Sequence, residues 1–200
     1  MKIGIVALGL LLVAPATLAQ SNQESARQAA SERTAMLKTL ERGKAMKGSR
    51  DPYRHLPQVF AVTLANSETP EQAVARTGEA GAQLVETKGR LVLYRSSSTK
   101  PASVYGAGET SVFPTVVNDR TGSLGVLTGN LIVKPRDMAD ADAIASGRGI
   151  EKTNAYPQLQ TVFYRVKAGV DIADISAALQ ADPRVESAYP EIIERVRVPK

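Results

Sequence analysis

The chain has one histidine, His55, bracketed by prolines in Pro52-Tyr53-Arg54-His55-Leu56-Pro57. A serine-histidine triad would need it as base, yet no Gly-x-Ser-x-Gly elbow is present to supply the nucleophile. It reads as an ordinary loop histidine. Asp137, Asp140 and Asp142 have acidic spacing like that of a calcium loop but lack its central glycine and terminal glutamate, so they read as carboxylates at a helix start. Gly106-Ala107-Gly108 lacks the further glycine and the lysine of a phosphate-binding loop and reads as turn chemistry. Asp171 and Asp174 could pose as paired catalytic carboxylates, but both fall in a helix's first turn, where capping accounts for them. Cysteine is absent, which removes thiol catalysis, disulfides and cysteine metal sites. The expectation is a non-enzyme with no cofactor. Binding chemistry is better represented. After Glu191 come Ile192, Ile193, Glu194, Arg195, Val196, Arg197, Val198, Pro199 and Lys200, with no glycine among them. Alternating β-branched and basic residues favour an extended chain, as strand-type peptide recognition requires.

The elements that must position this tail lie between Asn130 and Glu191. Leu131-Ile132-Val133 is a short apolar strand that stops at Lys134-Pro135, since proline cannot donate to a ladder. Asp137 caps a helix with Met138, Ala141 and Ala145 on one face, ended by Gly147 and Gly149. A weak strand covers Ile150 to Tyr156. From Leu159 the period becomes two, with Val162, Tyr164 and Val166 alternating against Phe163, Arg165 and Lys167, a strand with one wet face. Gly169 turns the chain. Asp171 caps a second helix carrying Ile172, Ile175 and Leu179, halted by Asp182-Pro183, and Val185, Ser187 and Tyr189 alternate as the last strand. This is a βαββαβ unit of ferredoxin-like order, with both helices on one sheet face.

Leu131-Ile132-Val133-Lys134, Tyr164-Arg165-Val166-Lys167-Ala168-Gly169-Val170-Asp171 and the run Leu179-Gln180-Ala181-Asp182-Pro183-Arg184-Val185-Glu186-Ser187-Ala188-Tyr189-Pro190-Glu191 resemble the propeptide domain of subtilisin-like serine proteases. The match covers about a third of the chain. With the preceding hairpin and no protease domain, the whole resembles more closely the ASP external chaperones, separate secreted partners of kexin-like serine proteases. The resemblance implies that the sheet packs on two parallel surface helices of a protease, that acidic side chains meet those helix N-termini, and that the tail lies in the active-site cleft as a substrate-like strand. It places the acidic position of the Pro-acid motif at Glu191, with Glu194 a second candidate. Two registers stay open, one presenting Lys200 to the pocket before the cut and one presenting Arg197. The implied function is a secreted, non-catalytic chaperone and inhibitor of a subtilisin- or kexin-like serine protease. A stand-alone inhibitor without a folding role and a periplasmic scaffold protein are the alternatives.

Met1 to Ala19 has an early lysine, an apolar run from Ile3 to Val13 and small residues at Thr17-Leu18-Ala19. It reads as a cleavable signal peptide, with the mature protein periplasmic or secreted. The apolar run is too short to span a bilayer, and no membrane partner is expected. A formal charge of +5 without a dense Lys/Arg stripe, and with only 4% aromatic residues, gives no nucleic-acid platform. Residues 20–50 carry little apolar area and read as a mobile or loosely docked arm. Residues 51–98 read as a small β-α-β-β unit with Thr69-Pro70 starting its helix, and 99–110, rich in Ser, Gly and Pro, as a linker. Two strand-like runs around Asn118-Asp119-Arg120-Thr121-Gly122-Ser123 form a hairpin leading into the propeptide-like domain, 111–191, with 192–200 as its extended tail. The fold class expected is α+β.

Overall fold

The computed structural model describes residues 27–28, 31–32, 34–79, 81–100, 102–104 and 111–195. The expected signal peptide lies outside the described residues. The chain divides into two compact units, Met1–Thr39 and Leu40–Lys200. In the first, the described residues up to Thr39 are helical, and Gln28 Nε2 donates to Glu32 Oε1 one turn on, at 3.1 Å. No helix among the described residues is long and apolar enough to cross a membrane.

The second unit is α+β, with a large antiparallel sheet and few helices. Its strands are β1 (Ala45–Lys47), β2 (Pro52–Thr63), β3 (Gln83–Lys88), β4 (Leu91–Arg95), β5 (Val112–Asn118), β6 (Leu124–Pro135), β7 (Ile150–Tyr156), β8 (Thr161–Val166) and β9 (Val185–Ile193). Three helices accompany them: α1 (Pro70–Ala75), α2 (Ala141–Ala145) and α3 (Ile172–Gln180). Among the described residues the nine strands make one sheet in the order β3-β4-β2-β5-β6-β8-β7, with β1 added to β2 and β9 to β6. β6 joins its halves. The first residues of β6, Leu124 to Val126, pair with β5, and Asn130 to Val133 pair with β8 on the same edge. β9 takes the opposite edge along almost the whole strand. Between the two segments sits Gly129 at φ +86°, where the register against β9 shifts, a conformation that strains residues with a Cβ.

Alternation explains β6. Leu131, Val133 and Pro135 are buried while Asn130, Ile132 and Lys134 are only half-covered. Leu131 and Val133 share one core with Val162, Tyr164 and Val166 of β8, Ala141 and Ile144 of α2, and Ile172, Ala173 and Leu179 of α3. Both helices therefore cover the same side. Tyr164, fully buried, donates its hydroxyl to the Ala141 carbonyl at 2.8 Å, which satisfies the polar end of an otherwise apolar ring. Asp171 caps α3 as its position suggests, its Oδ1 accepting from the backbone of Ala173 at 2.9 Å and Asp174 at 3.2 Å. At Asp137 the cap opens a 3-10 turn, Met138–Asp140, and α2 proper begins only at Ala141. In the other half, Thr69 and Gln72 form a reciprocal capping box on α1. Beneath it, Phe60, Val62, Ala73, Val74, Val92, Tyr94 and Val112 make a second core.

Three stretches differ from their sequence expectation. Residues 40–50, expected in a loose arm, are folded: Leu40 and Met46 are buried, and β1 pairs with the start of β2. Two apolar side chains were enough once a strand edge was there to receive them. Residues 99–110, expected as a linker, are a strap where described. Ala102 and Ser103 are buried, and the carbonyls of Ala102 and Val104 accept from Ile172 N at 2.8 Å and Gly169 N at 3.2 Å. Finally, His55 is not on a loop but inside β2, opposite Val116. Pro52 is tolerated as the first residue of the strand, and Pro57 falls where the register against β5 shifts, so neither proline interrupts a regular ladder.

Candidate partner-docking face

The helices cover one side of the β9-β6-β8-β7 half. Its other side is built by the alternate residues of the same strands. Ile132 of β6 lies opposite Phe163 of β8 on one edge and Tyr189 of β9 on the other. Tyr156, at the end of β7, meets the Phe163 ring edge-on, with centroids 5.6 Å apart. Beyond it, in the turn between β7 and β8, Leu159 is 63% exposed. An apolar row of this kind on a sheet face without helices is the sort of surface that a partner covers.

At the end of this row stands Glu191. Its Oε2 accepts from Thr128 Oγ1 at 2.6 Å and Asn130 Nδ2 at 2.8 Å, and neither bond uses Oε1. The carboxylate is thus fixed from β6 and half-exposed. Beside it opens a groove of about 420 Å³, with Leu91, Phe113, Val126 and Ile193 as apolar walls and Arg165 and Glu191 as its charges. The groove carries the face across β6 toward the first half of the sheet.

The expected tail starts later than its sequence suggests, because Ile192 and Ile193 belong to β9 and pair with Leu127 and Val126 of β6. Ile192 also presses on β6, so that a Cβ on Gly125 would lie 2.5 Å from its Cγ2. Glu194 follows directly. Its Oε1 accepts from Asn118 Nδ2 at 2.9 Å, its main-chain carbonyl accepts from Lys88 Nζ at 2.8 Å, and its side chain lies beside the Tyr53 hydroxyl. Burial, helped by the neighbouring Glu194 carboxylate, pushes the Tyr53 hydroxyl up to about 12. Arg195 is exposed. Val196, Arg197, Val198, Pro199 and Lys200 lie outside the described residues.

The structure thus brings Glu191 and Glu194 to one end of the sheet, each already held by neutral or cationic donors. The sequence reading gave Thr128, Asn130, Lys88, Tyr53 and Asn118 no part in the site. Of the apolar row only Phe163, set among the polar positions of β8, carried a signal in the sequence; Tyr189 reads in one row with Val185, but β9 buries Val185, Ala188 and Pro190 and leaves Tyr189 half-covered, opposite Ile132.

A family model described as the open reading frame 2 N-terminal domain matches residues 69–199. The chain belongs to that family. This open reading frame 2 N-terminal domain is also similar, at 18% identity and a TM-score of 0.36, to a chain in the crystal structure of the Aeromonas sobria serine protease and the chaperone (ORF2) complex. The similarity covers 49% of the present chain and 100% of the other. No curated protein matches the sequence.

Among the described residues no cluster of His, Asp and Glu could hold a metal ion, and His55 is itself only 3% exposed with Nε2 unpaired. Burial pulls its pKa down to about 4, against the opposing pull of Asp171, while Lys44 lowers it slightly further. The folded state therefore favours the neutral ring. Its contribution to stability is complete above the unfolded value near 6.5 and is lost as pH falls toward 4. Between pH 7 and pH 4.5 the parent should lose about 2–3 kcal/mol more than a His55→Leu variant in urea titrations. Equal losses would mean that the imidazole titrates normally.

Proposed function

We propose that the protein is a secreted or periplasmic, non-catalytic helper of a subtilisin- or kexin-like serine protease, acting in trans as folding chaperone and inhibitor. The observation that carries the reading is the family: in the Aeromonas sobria complex ORF2 is the chaperone of a serine protease, and this chain belongs to the open reading frame 2 N-terminal domain family. On this reading β6-α2-β7-β8-α3-β9 is a ferredoxin-like, propeptide-type unit. Its helix-free face docks on the protease, with Ile132, Phe163 and Tyr189 as apolar anchors and Glu191 offering Oε1 to the exposed N–H groups of a helix N-terminus. Residues beyond Glu194 enter the active-site cleft as an extended strand with basic side chains for the pocket.

Templating explains the chaperone role. A protease whose native contacts are distant in sequence nucleates slowly, and a preformed sheet that binds two of its helices stabilises the nucleus. The same contacts persist after folding, so the helper also inhibits. The deciding experiment is refolding of the denatured partner protease with and without this chain: an increased yield of active enzyme is expected, after dissociation of the inhibitor. An unchanged yield would leave inhibition without chaperoning.

The docking face can be tested separately. Phe163→Asp places a charge in the middle of the apolar row and should weaken association with the protease by about two orders of magnitude, a typical loss for a central anchor. Because Phe163 is only half-buried, the melting temperature should move by a few degrees at most. Parental affinity in surface plasmon resonance would remove this face from the interface.

A further inference from the structure

The end of β9 is held more firmly than a strand terminus needs to be, and the groups holding it come from the opposite half of the sheet. Glu194 meets Asn118 of β5, Tyr53 of β2 and Lys88 of β3. Each partner is itself fixed. Asn118 is fully buried, and its Oδ1 accepts the backbone N–H groups of Arg120 at 2.9 Å and Thr121 at 3.1 Å. That leaves its Nδ2 as the group pointed at Glu194, where it also reaches Asp51 Oδ2 at 3.2 Å. Lys88, with a side chain only 10% exposed, is steadied by Glu86 at 3.1 Å. Main chain and side chain of one residue are therefore held by hydrogen bonds from β3 and β5, with Tyr53 of β2 beside them, one position after the last β9 pairing.

We propose that Tyr53, Asn118 and Lys88 act as positioning residues, a clamp on Glu194 that fixes the point and direction from which residues 195–200 leave the sheet for the protease cleft. The proposal rests on the inhibitory role given to the tail above. Its physical basis is effective concentration: a segment that must reach a cleft from a docked body does so more often when its root is fixed and its free length is short. Without the clamp the root would fall back to Ile193, the last residue paired with β6, and the tail would sample more directions. The first half of the sheet, which supplies Lys88 and Tyr53, then has a function in inhibition even where it does not touch the protease.

Lys88→Met combined with Tyr53→Phe removes two of the three contacts while keeping the shapes, and Lys88→Arg is the conservative control. In the free full-length protein, amide exchange at Glu194 and Arg195 should quicken by about tenfold or more, with little change at Leu131 or Val133. Inhibition of a kexin-type serine protease, assayed on a peptide with a basic residue before the cut, should weaken about tenfold while refolding assistance stays at the parental level. Lys88→Arg should restore both readouts. Unchanged exchange would overturn the clamp without reference to any protease. Faster exchange with undiminished inhibition would overturn its role in positioning. A chain truncated after Glu194 separates the two claims: if truncation abolishes inhibition and the double variant does not weaken it, the clamp alone fails. If truncation itself changes nothing, the inhibitory tail fails and the clamp falls with it.

Discussion

A chain ending at Glu194 is expected to lose about two orders of magnitude or more in inhibitory strength while still assisting the protease to fold. On the proposed reading the two activities use different surfaces. Sheet docking is assigned there to Ile132, Phe163, Tyr189 and Glu191, all within paired strands, and occupation of the cleft to Arg195 and the residues after it. Removing the latter leaves every described strand pair intact, because β9 ends at Ile193. The measurement is an inhibition constant beside a refolding yield, taken on the same preparations. Equal inhibition by the truncated and full chains would sink the tail as the inhibitory element. Within the tail, Arg197→Ala and Lys200→Ala distinguish the registers, since only the side chain occupying the pocket should matter strongly.

The largest loss of stability is expected from Leu179→Ala, at roughly 2–5 kcal/mol. Leu179 is fully buried on α3 and belongs to the core that includes Leu131, Val133 and Tyr164. Truncation removes its apolar contacts and leaves a void that strands on one side and a capped helix on the other are poorly placed to fill. Urea unfolding should show a lower midpoint with an unchanged slope, which assigns the loss to the native state. A variant as stable as the parent would mean that α3 does not cover the sheet through this residue.

Much of the second half was legible because its signals are local. Asp171 caps α3, Asp182-Pro183 follows its end, and the period of two through Val162, Tyr164 and Val166 recurs as the buried side of β8. The Asn118 to Ser123 turn also falls between two strands, β5 and β6. What stayed hidden depends on partners far away in sequence. Met46 reads as one apolar residue in a polar arm until β2 offers it an edge, and Ala102-Ser103-Val104 reads as a linker until Gly169 and Ile172 donate to its carbonyls. Pro52 and Pro57 disguised the first half of a twelve-residue strand as a loop, while Val59 onward read as a strand, because the irregularity that accommodates Pro57 has no signature in composition. At the candidate site, Glu191 was singled out by the resemblance to the Pro-acid motif and Glu194 as a second candidate. Their donors were not, since a threonine, two asparagines, a tyrosine and a lysine carry no spacing that announces a shared carboxylate.

The sharing of β6 bears on quality control. Because β5 and β8 take successive lengths of one edge and β9 the other, neither half can mature while the other stays open without leaving part of β6 as a bare ribbon. Such coupling favours all-or-none acquisition of structure. The aromatic row and the gripped root of the tail then appear together or not at all. On the proposed function, a half-finished molecule would offer a protease neither a platform nor a plug, so incomplete copies would drop out of competition for the client without any separate device to exclude them.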